Sequence, residues 1–306
     1  MKKALITGIA GSGASYLADF LLTQGLEVHG VARWHSTTNN SNLKKIINEI
    51  SVHECDLLDL SSVIRTLRKV KPDYIFHLAS HANVRSCFDN PIAVMNNNVN
   101  CTINLFEAIR LENLDPIIQL CGTSEVYGQV KEEDLPITEE NKIDPVKIAK
   151  SYYLSYGMKV VITRMFAYIN PRRRDIFSSA FAKKITDIEK GEIRTLTHGN
   201  LESTRTLLDV RDAMESYWTA SNNCAYGEEY NIGGETVITV GEFLNILKSK
   251  AKVAIPSEVD PDLFRPIDVT LQIPSVDKFK KKTGWKPKRS FEDSVALLLD
   301  YYRNEN

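Results

Sequence analysis

The chain has 306 residues, 43% of them hydrophobic and 25% charged, and a formal net charge of -1. This balance gives no electrostatic basis for binding nucleic acid, and no apolar run approaches the ~18 residues that span a bilayer. The five cysteines are odd in number, and neither they nor the six histidines form a metal-binding motif. We therefore expect a cytoplasmic protein with reduced thiols, no metal, and no nucleic-acid or membrane partner.

A glycine-rich turn follows the first predicted strand. The apolar run at 4–6 leads directly into Gly8, Gly11 and Gly13, and an amphipathic helical pattern comes next. Glycine lets a pyrophosphate approach the backbone N–H groups, and the helix dipole favours the phosphate charge. Ordinary tight turns also contain glycines, but the position after the first strand favours dinucleotide binding. The predicted phosphate-binding residues are Gly8, Ile9, Gly11, Ser12 and Gly13.

Strand and helix patterns alternate through the first half of the chain. The later predicted strands are 27–33, 50–54, 73–78, 116–121 and 160–164, and a long helix is predicted over 91–110. This alternation predicts an α/β protein with a Rossmann-like, doubly wound parallel sheet. We predict a dinucleotide-binding domain over 1–165 and a smaller α/β substrate-binding lobe over 166–306, interleaved with the first.

The residue that ends the second strand indicates which nicotinamide cofactor binds. An acidic residue there binds the ribose 2'-hydroxyl of NAD, whereas an arginine accommodates the 2'-phosphate of NADP. The strand ends in Arg33 and carries no acid at that end. The sequence therefore predicts NADP, with an ordinary surface arginine as the simpler alternative.

The ends of two further strands supply more candidates for cofactor binding. Folds of this kind bind ligands at the carboxyl ends of their strands. The predicted residues are Asp56 and Leu57 after the third strand, and Leu78, Ala79 and Ser80 after the fourth.

The fifth strand ends in the segment T-S-E-V-Y-G at 123–128. It places the hydroxyl of Thr123 and the carboxylate of Glu125 two residues apart at the mouth of the sheet. A capped, solvated turn would explain this motif alone, whereas acid/base chemistry needs such a poised carboxylate.

These motifs resemble those of a known enzyme superfamily. The T-G-x-x-G-x-x-A pattern from Thr7 to Ala14 is similar to that of extended short-chain dehydrogenases/reductases, and T-S-E-V-Y-G is similar to the motif of the GDP-mannose 4,6-dehydratase family. The resemblance covers nearly the whole chain. Its further matches are F-D-N-P at 88–91, T-R-M at 163–165, P-R-R at 171–173, G-N-L at 199–201, D-V-R-D at 209–212, Y-N-I-G at 230–233, R-P-I-D at 265–268 and W-K-P at 285–287.

The resemblance implies a lyase that dehydrates a GDP-sugar with the help of NADP. Hydride leaves C4 of the hexose for the cofactor, the C5 proton and the C6 hydroxyl are lost as water, and hydride returns to C6. Thr123 would hydrogen-bond the 4-hydroxyl. Glu125 would be the acid/base at C5 and C6.

Cationic residues of the second lobe are implied to bind the nucleotide. The family uses a lysine and two arginines there, which correspond to Lys183, Arg205 and Arg265. Arginine forks suit phosphate and guanine oxygen atoms, although each residue alone could be an ordinary surface charge. Arg173 is implied to contact the cofactor from a loop at 172–174 between subunits.

Two features depart from the family pattern. Ala167 stands where the family commonly has an asparagine that contacts the diphosphate. The pair Y-x-x-x-K, which supplies the tyrosine base, is missing from the helix before the sixth strand. Its spacing recurs only from Tyr127 to Lys131, inside the T-S-E-V-Y-G region, where we interpret it as chance.

The interval before the sixth strand also predicts a gap in the sequence. Eleven residues lie between Pro145 and Gly157, although a parallel crossover needs about a dozen or more. About eleven residues of the form S-P-Y-x-x-x-K-x-x-x-D between Val146 and Lys147 would restore both the helix and the catalytic pair. We therefore expect an intact mass above 34.5 kDa; a natural deletion is the alternative.

Three functions are compatible with the sequence. A GDP-sugar 4,6-dehydratase is favoured, acting on GDP-mannose or GDP-N-acetylglucosamine. A GDP-4-keto-6-deoxyhexose reductase shares the fold and nucleotide, and a catalytically dead nucleotide-sugar binding protein would explain the missing pair. The apolar helix at 91–110 predicts a homodimer or homotetramer.

Overall fold

The computed structural model describes residues 1–33, 41–83, 89–141, 148–264 and 269–305. The strands are β1 (Lys3–Thr7), β2 (Glu27–Ala32), β3 (Ser51–Glu54), β4 (Tyr74–His77), β5 (Ile117–Thr123), β6 (Val160–Met165), β7 (Tyr168–Ile169), β8 (Leu196–His198), β9 (Thr204–Asp209), β10 (Glu229–Ile232), β11 (Thr236–Thr239), β12 (Ser257–Val259) and β13 (Leu271–Gln272). The α-helices are α1 (Ser12–Thr23), α2 (Leu60–Val70), α3 (Pro91–Met95), α4 (Cys101–Leu111), α5 (Ile148–Tyr156), α6 (Phe177–Glu189), α7 (Val210–Asn223), α8 (Val240–Ser249), α9 (Asp277–Thr283) and α10 (Phe291–Arg303).

Seven strands form one sheet, in the order β10-β6-β5-β4-β1-β2-β3. Strand β1 pairs in parallel with β2 on one side and with β4 on the other. The chain order therefore reverses between β1 and β4, which is the topological switch point of a doubly wound fold. The predicted Rossmann-like α/β architecture is confirmed.

The chain divides into two compact units that alternate along the sequence. The first comprises Met1–Gly122, Val146–Thr163 and Met214–Glu229, and the second comprises Thr123–Pro145, Arg164–Ala213 and Tyr230–Asn306. The predicted boundary after residue 165, between lobes expected to interleave, lies beside the crossover between Thr163 and Arg164. A further crossover lies between Gly122 and Thr123, because T-S-E-V-Y-G at 123–128 belongs to the second unit.

Each unit has its own apolar core. In the first, Leu5, Ile75 and Ile118 of the sheet pack against Leu67 of α2 and Phe106 of α4. In the second, α6, α8 and α10 contribute most of the buried side chains around β9, including Ile185, Phe243, Leu298 and Tyr302.

The predicted helix over 91–110 is present but is not a uniform α-helix. A π-helical turn at Asn96–Asn100 separates α3 from α4. Two helices of the second unit begin with a capping box, formed by Thr239 and Glu242 on α8 and by Ser290 and Asp293 on α10. Among the described helices, none is both long and apolar enough to cross a membrane.

Candidate active site

The glycine loop lies against the end of β4. Gly8 has φ +67, and a Cβ there would come within 3.0 Å of the Ala79 Cα atom. Gly11 is the N-cap of α1 without a side-chain hydrogen bond, so the first amides of that helix have no side-chain cap. Bare amides at a helix N-terminus beside a close backbone approach suit a pyrophosphate. Ser12 and Gly13 form the first turn of this helix.

Ile9 has a different place from its glycine neighbours. Its side chain is fully buried, and its methyl groups fill the space that a Cβ would need at Gly30 of β2. The amides of Gly8 and Ile9 both donate to the Val31 carbonyl oxygen, at 3.1 and 3.4 Å. Because Gly30 has no side chain, Ile9 can pack against β2 and anchor the loop there. The sequence alone does not reveal this role of Gly30.

Thr7 connects the end of β1 to the segment after β4. Its Oγ1 accepts the backbone amides of Leu78 and Ala79, both at 3.0 Å. The same oxygen lies 2.9 Å from Nδ1 of His77, and Nε2 of His77 lies 3.1 Å from Oγ1 of Thr102. Two of the predicted cofactor-binding residues are thus held by a buried hydroxyl.

The hydrogen positions in this network follow from its partners. Thr7 already accepts two amides, so its own hydrogen goes to Nδ1 of His77. Thr102 donates to the Asn98 carbonyl oxygen at 2.9 Å, so it accepts from Nε2–H of His77. The ring is neutral with its proton on Nε2, and its complete burial lowers the pKa of His77 to about 4.

The π-helical turn holds the same segment from the other side. The Asn98 Oδ1 atom accepts the His81 amide at 2.8 Å, and its Nδ2 donates to the His81 carbonyl oxygen at 3.3 Å. The segment that includes Leu78, Ala79 and Ser80 is therefore anchored at both ends. Ser80 is the exposed member of the three.

The other cofactor candidates lie at the ends of β2 and β3. Arg33 and Asp56 are exposed, whereas Leu57 is buried in the first core. Burial raises the pKa of Cys101 to about 11, with Asp56 raising it further and Arg33 opposing it. Because β2 and β3 pair in parallel with Ala32 opposite Glu54, Arg33 and Asp56 follow strand ends at the same edge of the sheet.

Thr123 and Glu125 lie in one tight turn. Thr123 ends β5 and caps the 3-10 turn Ser124–Tyr127, because its Oγ1 accepts the Glu125 amide at 3.2 Å. Both side chains are exposed. The Glu125 Oε1 atom accepts a hydrogen bond from Nε2 of Gln272 at 2.9 Å.

A buried polar network fixes the far end of that turn. Tyr127 donates to Oδ1 of Asn231 at 2.7 Å and accepts from Nη1 of Arg164 at 2.7 Å. The Asn231 amide donates to Oε1 of Glu139 at 2.7 Å. Three motifs that are separate in the sequence, at 123–128, 163–165 and 230–233, meet at this tyrosine.

Tyr127 is therefore a structural residue of the turn. Burial raises its pKa, with the Arg164 hydrogen bond opposing the shift. Lys131, four residues later, is exposed and pairs with Glu133 at 3.2 Å. This supports the interpretation that the Y-x-x-x-K spacing here is chance.

Tyr152, on the helix before β6, does not replace the missing tyrosine base. Tyr152 of α5 donates to Oε1 of Glu107 at 2.7 Å. Burial first, and then the Glu107 carboxylate, raise the pKa of Tyr152 to about 12, so it keeps its proton. Val146 and Lys147, between which the missing segment is predicted, lie outside the described residues.

The predicted nucleotide-binding cations have partners within the second unit. Arg205 donates to the carbonyl oxygens of Thr204, Thr270 and Val269. Lys183 donates to Asp187 at 2.8 Å. A substrate would have to compete for these groups.

Arg173 and Ala167 lie between the strands and helices of the second unit. Arg173 pairs with Asp175 at 2.9 Å, and Ala167 packs at the edge of the second core. Arg265 lies outside the described residues.

Comparison with known proteins identifies the family. The family model for GDP-mannose 4,6 dehydratase matches residues 5–298. The chain belongs to the GDP-mannose 4,6-dehydratase family. A Yersinia enterocolitica protein named GDP-mannose 4,6-dehydratase is 30% identical, and the match covers 98% of this chain and 93% of that protein.

Solved structures of related fold support the same assignment of architecture. The Thermus thermophilus UDP-glucose 4-epimerase in complex with NAD has a TM-score of 0.85 at 26% identity, over 99% of both chains. The Pseudomonas aeruginosa protein RMD, complexed with NADPH, has a TM-score of 0.84 at 22% identity, over 100% of both chains.

The family match also shows that this chain is short for its relatives. The alignment with the Yersinia enterocolitica dehydratase runs over 349 residues, which exceeds the 306 residues of the whole chain. That relative therefore contains segments within the matched region that have no counterpart here.

Proposed function

We propose that this chain catalyses the NADP-dependent 4,6-dehydration of a GDP-hexose. The observation that carries the proposal is the turn with Thr123 and Glu125 at the end of β5, in a chain that belongs to the dehydratase family. A carboxylate and a hydroxyl on one rigid turn are the groups that elimination next to a carbonyl requires.

The first unit fits a dinucleotide. Gly8 and Gly11 let the loop pack closely against Ala79 and against itself, so the uncapped start of α1 would face a pyrophosphate. Arg33, which follows β2, would bind a 2'-phosphate. NADP, when bound, would accept the hydride from C4 of the sugar and return it to C6.

Glu125 would move the protons of the elimination. Its carboxylate removes the C5 proton after C4 has become a carbonyl, and the same proton goes to the C6 hydroxyl, which leaves as water. The carboxylate is thereby restored, and when hydride returns to C6, Glu125 passes a proton from solvent to C5, which is the source of C5 deuterium in D2O. Thr123 accepts one amide and keeps its own hydrogen and a second lone pair for the sugar 4-hydroxyl.

The first oxidation also needs an acceptor for the proton of the 4-hydroxyl. In the GDP-mannose 4,6-dehydratase family this acceptor is the tyrosine of Y-x-x-x-K. We expect that tyrosine in the additional segment predicted between Val146 and Lys147. An intact mass above 34.5 kDa would identify a chain that is longer than the printed sequence.

The assay uses the purified protein with NADP and either GDP-mannose or GDP-N-acetylglucosamine. We expect a 4-keto-6-deoxy product without added reductant, and the substrate that reacts faster identifies the hexose. Consumption of NADPH with a 4-keto sugar, and no dehydration, would instead show a reductase. Binding of the GDP-sugar without turnover of either kind would show a nucleotide-sugar binding protein.

A variant pair tests the role of the carboxylate. Glu125→Gln keeps the shape and removes the base, so we expect dehydration to fall by about 100-fold or more, together with loss of C5 deuterium uptake from D2O. Glu133→Gln, on an exposed acid of the neighbouring turn, should be near wild type. Near wild-type dehydration by Glu125→Gln would make Glu125 a structural residue.

A further inference from the structure

We propose that Gln272 is a positioning residue that holds the Glu125 carboxylate for proton transfer; this inference rests on the proposed function. Gln272 lies on β13 and is 6% exposed, whereas Glu125 is exposed on its turn. The Gln272 amide donates to Oε1 of Glu125 at 2.9 Å, although 147 positions separate the two residues.

The strand that carries Gln272 is itself fixed on two sides. Residues Leu271 and Gln272 pair in parallel with Thr204 and Arg205 of β9, and the Arg205 guanidinium donates to two carbonyl oxygens just before that pair. Because the backbone of β13 is held in this way, the Gln272 amide has a defined position.

A second glutamine, on the side of the turn, contacts the residue that directly precedes β13. Gln129 donates to Oγ1 of Thr270 at 2.9 Å and comes four residues after Glu125. It therefore anchors the same two segments as Gln272 without bonding to the Glu125 carboxylate, which makes it a matched control.

The geometry explains what the bond does for catalysis. A free exposed glutamate samples several rotamers, and only some of them point an oxygen at the sugar. An amide donor engages one carboxylate oxygen and leaves the other available to take a proton. Since an amide is neutral and does not titrate, Gln272 orients the base without competing for the proton.

Substitution of Gln272 tests this role. Gln272→Leu removes the donor and keeps an apolar side chain of similar size, so we expect kcat for dehydration to fall by about 10- to 100-fold with KM for the GDP-sugar within about twofold. Gln129→Leu should change neither constant by more than about twofold. In a Glu125→Gln background, Gln272→Leu should cause no further loss, because its effect passes through the carboxylate.

An NMR measurement that does not depend on turnover distinguishes a failure of the role of Gln272 from a failure of the proposed function. The carboxyl 13C resonance of Glu125, assigned by its loss in Glu125→Gln, should move in Gln272→Leu and stay in place in Gln129→Leu. An unmoved resonance or an unchanged kcat in folded Gln272→Leu overturns the role of Gln272. A wild-type protein that forms no 4-keto sugar overturns the proposed function, and the catalytic role of Gln272 with it, even where the resonance still reports the contact.

Discussion

The hydroxyl of Thr7 accepts the backbone amide of Ala79 at 3.0 Å, and this bond ties the end of β1 to the residue that faces Gly8. The threonine that begins the glycine motif therefore has a structural role of its own. It shapes the edge where the glycine loop and the β4 end come together, and it does so through atoms that are fully buried.

Removal of the Thr7 hydroxyl should lower the free energy of unfolding. Thr7→Val keeps the shape but leaves two amides and one imidazole nitrogen without a partner, so we expect a loss of about 2 to 4 kcal/mol of unfolding free energy. NADPH binding should weaken as well. Thr7→Ser keeps the hydroxyl and should cost only about 1 kcal/mol. Urea unfolding of the two variants measures the difference, and equal losses would show that the hydrogen bonds contribute no more than the methyl group.

His77 makes stability depend on pH. Its pKa is about 4 when folded and about 6.5 when unfolded, so below pH 6.5 the unfolded chain takes up a proton that the folded chain refuses. Stability is therefore full above pH 6.5 and falls by up to about 1.4 kcal/mol per pH unit down to the folded pKa. His53 adds to the loss in the same direction, because burial, then His29 and Lys69, lower its pKa.

Between pH 7.5 and about pH 5 most carboxylates stay ionised, so the pH dependence of the unfolding free energy in urea reports mainly on the histidines. His77→Gln should reduce the slope of the unfolding free energy against pH by the equivalent of about one proton, and His53→Gln should reduce it further. A slope that His77→Gln leaves unchanged would mean that the ring is protonated inside the folded protein.

The close approach at Gly8 can be separated from its backbone conformation. Gly8 and Gly25 have similar φ values, +67 and +73, but a Cβ at Gly25 meets nothing within 4 Å. Alanine at either site should cost about 1 kcal/mol for the left-handed conformation. Gly8→Ala alone should weaken NADPH binding by about tenfold or more, since its Cβ presses on Ala79. Equal NADPH dissociation constants in fluorescence titrations of the two variants would contradict this.

Arg33 should determine the choice of cofactor. Arg33→Ala removes the cation at the end of β2, so NADP(H) binding should weaken by about 1.5 to 3 kcal/mol, and NAD(H) binding much less. Arg65→Ala, on an exposed arginine of the same unit that pairs with Asp59, is the control. Isothermal titration with both dinucleotides gives the ratio. An equal loss for the two would show that Arg33 does not contact the 2'-phosphate.

The exposed apolar side chains of the first unit predict self-association. Ile92 is 76% exposed and Met95 57% on α3, and Leu154 is 72% exposed on α5. We expect a homodimer or homotetramer that covers these positions, since exposed apolar groups gathered on helices favour an interface.

Light scattering tests the assembly. Ile92→Asp combined with Leu154→Asp should shift the protein to a monomer, whereas Val237→Asp, on an exposed valine of the second unit, should not. A wild-type monomer at every concentration would refute the prediction.

The sequence alone determined the features that depend on neighbouring residues. The strand, glycine loop and helix at the start of the chain, the alternation that predicts a doubly wound sheet, and the caps at Thr239 and Ser290 all follow from local periodicity and backbone chemistry. The T-S-E-V-Y-G segment was recognisable for the same reason, because its groups are adjacent in the chain.

Only the tertiary structure decided which distant groups meet. Tyr127 is hydrogen-bonded to Asn231, 104 positions away, and Gln272 to Glu125, 147 positions away. No periodicity in the sequence relates such positions. Likewise, the sequence shows Arg205 as an available cation, whereas the fold directs its guanidinium to backbone carbonyl oxygens. The physical reason is that burial and the pairing of parallel strands bring these segments together, so hydrogen-bond partners follow from the packed structure rather than from residue type.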